Sequence, residues 1–94
     1  MSIGLLTVDC YLGESFSLKD KRRILLSLTD RLRRSFNIAL CEVEYQDQWQ
    51  RSKLAIVLIN TDWRMLQQSS NKIIDTIEKD GRVNILATEI ERIR

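Results

Sequence analysis

Apolar residues occupy every second position at the start of the chain. Gly4, Leu6, Val8, Cys10 and Leu12 form one alternate set. Ile3, Leu5, Thr7, Asp9 and Tyr11 form the other, which turns polar along its length. This pattern predicts a strand over residues 2–12 with one buried face and one less protected face. The period changes after Gly13. Leu18, Leu25, Leu28, Leu32 and Phe36 recur at spacings of three, four and seven, with Ile24 beside them, as on one side of a helix. Ser17 is placed to cap that helix, Asp20 suits its first turn, and Asn37 is placed to close it.

Alternation returns over 38–45, with Ile38, Leu40, Glu42 and Glu44 on one side of a second strand. QDQWQR (46–51) reads as a polar loop. KLAIVLIN (53–60) is apolar on both faces and predicts a central strand. A second helix follows, capped by Asn60 or Thr61. Its buried face is Trp63, Leu66, Ser70, Ile73, Ile74 and Ile77. Asp80-Gly81 closes it, and 82–94 makes a last strand, charged toward its end.

The order β-α-β-β-α-β predicts an α+β fold, a ferredoxin-like βαββαβ sandwich. A four-stranded antiparallel sheet would carry both helices on one face. The two most apolar strands, the first and third, would be central and the other two would be edges, with right-handed crossovers. The 94 residues fit one domain, 1–94. Composition agrees: 44% hydrophobic, 30% charged, three Gly and no Pro describe an ordered domain. Asp9 breaks the first apolar run too early for a membrane span, so the chain reads as soluble and cytoplasmic with no membrane partner. Cys10 and Cys41 read as two small buried hydrophobes, roughly 10 Å apart across two strand spacings and unable to form a disulfide.

Net charge is +2, but it is segregated. Residues 17–36 hold seven basic residues and two acidic ones (Asp20 and Asp30), a net of +5. The rest of the chain holds eight basic and eleven acidic residues, a net of −3. At about 100° per residue, Lys19, Arg22, Arg23, Arg33 and Arg34 fall within one third of the helical wheel, opposite the leucines. Asp30 and Leu26 interrupt that face. Such a surface suits nucleic-acid phosphate or an acidic protein patch, and it also suits plain solvation.

Catalytic chemistry has little to stand on. With no histidine, no Ser-His or Cys-His pair can form, and neither phosphate-binding glycine loop is present. Two cysteines and no histidine leave no zinc set, and no cofactor is expected. Glu42/Glu44 and Glu89/Glu91 are spaced to share a strand face, which is far commoner in solvated surfaces than in acid-base pairs. The open sheet face offers aliphatic residues and carboxylates where an RNA-recognition motif stacks bases on aromatics, so that mode is rejected. Trp49 in QDQWQR either folds over the hairpin end or stands out as a contact residue.

SLKDKRRILLSLTDRLRRSFN (17–37), EVEYQDQWQR (42–51) and GLLTVDCYL (4–12) together resemble the YlxP-like proteins, small bacterial proteins of uncharacterised function. The resemblance covers nearly the whole chain and implies a ferredoxin-like fold. It also implies a genomic setting among translation initiation and ribosome maturation factors. It brings no catalytic residue. The matching positions are Ser17 to Arg23 and then Gln46, Asp47, Trp49, Gln50 and Arg51, carried as candidate surface-binding positions. Two functions are then in competition. One is a non-catalytic RNA- or ribosome-associated module docking through Lys19, Arg22, Arg23, Arg33 and Arg34. The other is a homodimeric protein-interaction or small-ligand module using the open sheet face and the Trp49 loop.

Overall fold

The computed structural model describes residues 1–94. Its elements run β1 (Ser2–Tyr11), α1 (Leu18–Ser35), β2 (Ile38–Glu44), β3 (Arg51–Asn60), α2 (Trp63–Glu78) and β4 (Asn84–Arg92). All four strands join one sheet in the order β2-β3-β1-β4, and every neighbouring pair is antiparallel. This is the βαββαβ sandwich read from the residue pattern. The apolar strands β1 and β3 are central and pair over their full length, from Ser2↔Asn60 to Tyr11↔Arg51. No helix is long and apolar enough to cross a membrane.

The core lies between the sheet and the helix layer. Leu6, Val8 and Cys10 of β1 and Leu54, Ile56 and Leu58 of β3 meet Ile24, Leu28 and Leu32 of α1 and Leu66, Ile73 and Ile77 of α2, all nearly solvent-free. Helix α2 comes closest at Gly4, where a Cβ would lie 2.8 Å from a Leu66 methyl and 3.3 Å from the Trp63 ring. A larger side chain there would push the helix off the sheet.

Four local expectations are corrected. Asn37 does not close α1 in a left-handed conformation; the helix ends on extended Phe36, whose N–H still reaches Leu32 O. Asp62, rather than Asn60 or Thr61, caps α2, accepting from Arg64 N at 2.9 Å. Cys41 is exposed rather than buried, because its alternate set faces away from the helices, while Cys10 faces them. Glu42 and Glu44 do not share a face. The β2–β3 register slips between them, so Glu42↔Leu54 is followed by Glu44↔Lys53 and Val43 is the extra, bulged residue. Glu42 stays on the helix side with Ile38 and Leu40, and the slip turns Glu44 to the open face.

Candidate functional site

Helix α1 begins with a tight cap. Ser17 Oγ accepts from Asp20 N at 3.0 Å, and Asp20 Oδ2 accepts from Phe16 N at 3.1 Å. This reciprocal arrangement satisfies two N–H groups at the helix start and sets its rotation on the sheet. Lys19, Arg22, Arg23, Arg33 and Arg34 are thereby all exposed. None of the five makes an ion pair within 4.0 Å, whereas Lys21, Arg31, Arg51, Lys53 and Arg82 each do. Arg33 reaches only a backbone group, Leu40 O at 3.5 Å. Arg23 shares a concavity of about 210 Å³ with Glu14, Asp20 and Arg82, so its surroundings are mixed in charge. Lys19 and Arg22 line no such mixed hollow.

Lys21 does not belong to that outer face. Its side chain is 3% exposed, and its Nζ donates to Tyr45 O at 2.6 Å and pairs with Glu42 Oε2 at 2.9 Å. Glu42 also accepts from Ser52 Oγ at 2.5 Å. The residue spacing carried this signal: Lys21 is three positions from Leu18, four from Leu25 and seven from Leu28, on the buried stripe itself. Regular alternation with Ile38 and Leu40 already points Glu42 inward to meet it, and the bulge at Val43 is what turns Glu44 away. Tyr45 ends β2 with φ 66°, the one left-handed residue of the chain, and this bends the hairpin so that its carbonyl points at the helix.

The QDQWQR loop divides in the same way. Arg51 donates to both Asp9 oxygens at 2.9 and 3.0 Å and stacks 4.4 Å from the Tyr45 ring centre. The Asp9 bonds come first in holding its guanidinium above its usual pKa. Gln50 Nε2 donates to Gly13 O at 3.4 Å, and Gln50 O accepts from Leu12 N at 2.9 Å. Gln46, Asp47, Gln48 and Trp49 point outward, and Asp47 to Gln50 line a shallow concavity of about 330 Å³. Trp49 is 53% exposed, which decides between the two readings of that residue: it stands out from the hairpin. Phe16, 68% exposed, lies one residue before the α1 cap.

These contacts bring together what lay apart in the chain. Lys21–Tyr45 and Gln50–Gly13 tie the start of α1 and the β1–α1 loop to the β2–β3 hairpin. Lys19, Arg22, Phe16 and Trp49 thus occupy one end of the molecule. Arg33 and Arg34 are at the other end of α1, about 16 Å along the axis from Arg22. No three His, Cys, Asp or Glu side chains converge.

Residues 3–90 match the family described as "Protein of unknown function (DUF503)". The chain belongs to that family. It is similar to the "Uncharacterized protein YlxP" of Bacillus subtilis (strain 168), 26% identical over 89 residues, which are 95% of this chain and 97% of that relative. The YlxP-like resemblance read from SLKDKRR and QDQWQR is therefore a family relationship. In this DUF503 member the two motifs are two sides of one junction. Ser17 and Asp20 cap the helix, Lys21 holds the hairpin to it, Gln50 holds the hairpin to the β1–α1 loop and Arg51 holds it to Asp9 of β1. Lys19, Arg22, Arg23, Gln46, Asp47 and Trp49 are left on the surface.

A missed element is the Asp80–Arg82 pair after α2. Asp80 is buried, and Arg82 reaches it with Nε at 2.9 Å and Nη2 at 2.7 Å, while also donating to Ser27 Oγ at 3.1 Å. Arg82 holds the Asp80 carboxyl below its ordinary range. The pair ties the α2–β4 turn to α1. An Asp-Gly pair read only as a helix stop hid the role of its carboxylate.

Proposed function

We propose that this protein is a non-catalytic RNA- or ribosome-associated module of the cytoplasm that docks through the exposed basic face of α1. The observation that carries the reading is that five exposed cations, none in an ion pair within 4.0 Å, are gathered on one face of a single helix. Cations meant only to solubilise a helix are commonly interleaved with acids at i+3 or i+4. Asp20 stands three positions before Arg23, and Asp30 three and four before Arg33 and Arg34, so Lys19 and Arg22 are the members of the set with no acid at helical spacing.

Position sharpens the reading. Arg33 and Arg34 are in the last turn, where the helix dipole favours cations, so helix stability alone accounts for them. Lys19 is in the first turn and Arg22 and Arg23 follow closely, where the dipole opposes positive charge. Helix stability does not account for that trio, and phosphate attraction does. Trp49 and Phe16 stand at the same end, offering flat apolar surfaces on which unpaired bases stack. The sheet's open face, with Asp9, Glu44, Glu89 and Glu91, is unsuited to phosphate.

The test is binding of labelled single-stranded RNA, and of purified ribosomal subunits, across a salt series. Neutralising all five phosphates gives a slope of about −3.5 in log K against log salt for single strands, at about −0.7 each, and use of the N-terminal three alone gives about −2.1. Arg22→Glu with Arg23→Glu should weaken binding severely and leave the melting curve in place. An absence of binding to either RNA or subunits at low salt sinks the proposal.

A further inference from the structure

The helices cover one face of the sheet, and the other face carries its own order. Its central residues come from β1 and β3, whose register sets them side by side: Ile3 with Ile59, Leu5 with Val57, Thr7 with Ala55, Asp9 with Lys53 and Tyr11 with Arg51. The face is apolar at one end and charged at the other. Val57 and Ile59 are 44% and 54% exposed, more than a lone domain needs to leave in water. Toward β2 the small residues Ala39, Cys41 and Ala55 leave an apolar hollow of about 200 Å³.

We propose that this face binds a second copy of the chain, with a twofold axis parallel to the strands and midway between β1 and β3. Rotation about that axis keeps every residue at its height along the strands and lays β1 over the partner's β3. Ile3 then meets the partner's Ile59, Leu5 the partner's Val57, and Asp9 the partner's Lys53. Each contact is made twice, as an isologous interface requires. The complementarity follows from the register: each apolar residue has an apolar neighbour across β1–β3, and Asp9 has a cation. At the margins Glu89 and Glu91 of β4, placed by Thr7↔Glu89 and Leu5↔Glu91, come over the small Cys41 and Ala39 of the partner's β2. There they have room to lean into water. An axis perpendicular to the strands reverses the ends and sets Asp9 against the partner's Leu5, so charge complementarity selects the first arrangement.

Area sets the strength. Four strands at about 4.8 Å and roughly 27 Å of strand length give roughly 500 Å² on each copy, about 1,000 Å² in all. That is at the lower bound for a specific interface, so a reversible dimer of micromolar affinity is expected, not a permanent one. It is driven by apolar contact, hence insensitive to salt, and it leaves α1 free. It therefore stands or falls apart from the RNA reading.

Sedimentation equilibrium of the whole chain between about 1 and 500 µM tests it. The wild type should move from monomer toward dimer with the midpoint little changed between low and high salt. Val57→Lys, at a half-exposed position, should hold the chain monomeric throughout and keep the wild-type melting temperature. Mild oxidation supplies a geometric check. In the proposed arrangement the two Cys41 residues lie three strand spacings apart across about 10 Å, far beyond the roughly 7 Å limit for a disulfide. No disulfide-linked dimer should form, and Cys10, whose thiol burial pushes up to about 12, stays inert. A monomer at all concentrations overturns the proposal. So does a dimer untouched by Val57→Lys, or a rapid Cys41 disulfide, which would place the contact at the β2 edge.

Discussion

Lys21 shows how one residue can be misfiled by its neighbours. It sits among Lys19, Arg22 and Arg23, and by charge alone it joins them. Burial at 3% exposure and contacts at 2.6 and 2.9 Å make it an internal tether from α1 to Tyr45 and Glu42. Removing one member of a buried ion pair costs about 3–5 kcal/mol. Lys21→Met keeps the apolar stem but loses the charge, and Glu42, 21% exposed, is then partly rescued by water. We expect a loss of about 3 kcal/mol, a fall in melting temperature of roughly 12–20 °C for a domain of this size. Lys19→Met, fully on the surface, should shift it by less than about 2 °C, and thermal melts of the two variants give the comparison. Asp80 offers a pH handle. Its folded carboxyl is held below its unfolded value by Arg82, so its contribution is present above about pH 4 and is lost as pH falls through the lower folded value. Asp80→Asn should be less stable than wild type at pH 7, and its stability should change less between pH 4 and 2. Urea titrations at the two ends of that window measure the difference.

The elements were almost wholly legible from periodicity, because each strand and helix has one face that must be dry. The order of the strands follows from the βαββαβ topology, and the two most apolar strands are the ones it makes central. The junctions were not legible. The bulge at Val43 has no local signature in IALCEVE; it falls between the half of β2 in register with β3 and the left-handed Tyr45 that follows the strand. A strict period of two therefore put Glu42 and Glu44 together, and the structure separates them by one inserted residue. The Lys21 spacing was visible, but a charge outweighed it. The two family motifs present separate surfaces in linear order, one basic and one around Trp49, since nothing there says that Gln50 meets Gly13. The cap was legible and can be tested at this scale. Ser17→Ala removes the acceptor for Asp20 N and should cost about 1 kcal/mol. Because the cap also sets the rotation of α1, amide exchange should quicken over the first two turns and stay unchanged over residues 28–35.

At the scale of the whole molecule, the two ends of α1 act as separate charges. Arg22 and Arg33 are about 16 Å apart, twice the screening length of about 8 Å at physiological salt, so the N-terminal trio and the C-terminal pair do not reinforce each other at a distance. A bound strand must touch each cluster to gain from it. This turns the salt slope into a count of which clusters are used. If one RNA runs the length of α1, reversing Lys19, Arg22 and Arg23 should leave a slope of about −1.4, from Arg33 and Arg34 alone, and reversing only that pair should leave about −2.1. If the strand instead turns from the start of α1 onto Trp49 and Phe16, the wild-type slope itself should be near −2.1 and reversal of Arg33 and Arg34 should change nothing. Trp49→Ala then weakens binding at every salt concentration by the loss of one stacked base, about 1–3 kcal/mol, without altering the slope. The helix dipole favours this second route, because it opposes cations at the start of α1 and accommodates Arg33 and Arg34 at its end. A slope near −3.5 that survives Trp49→Ala unchanged in affinity would reject it.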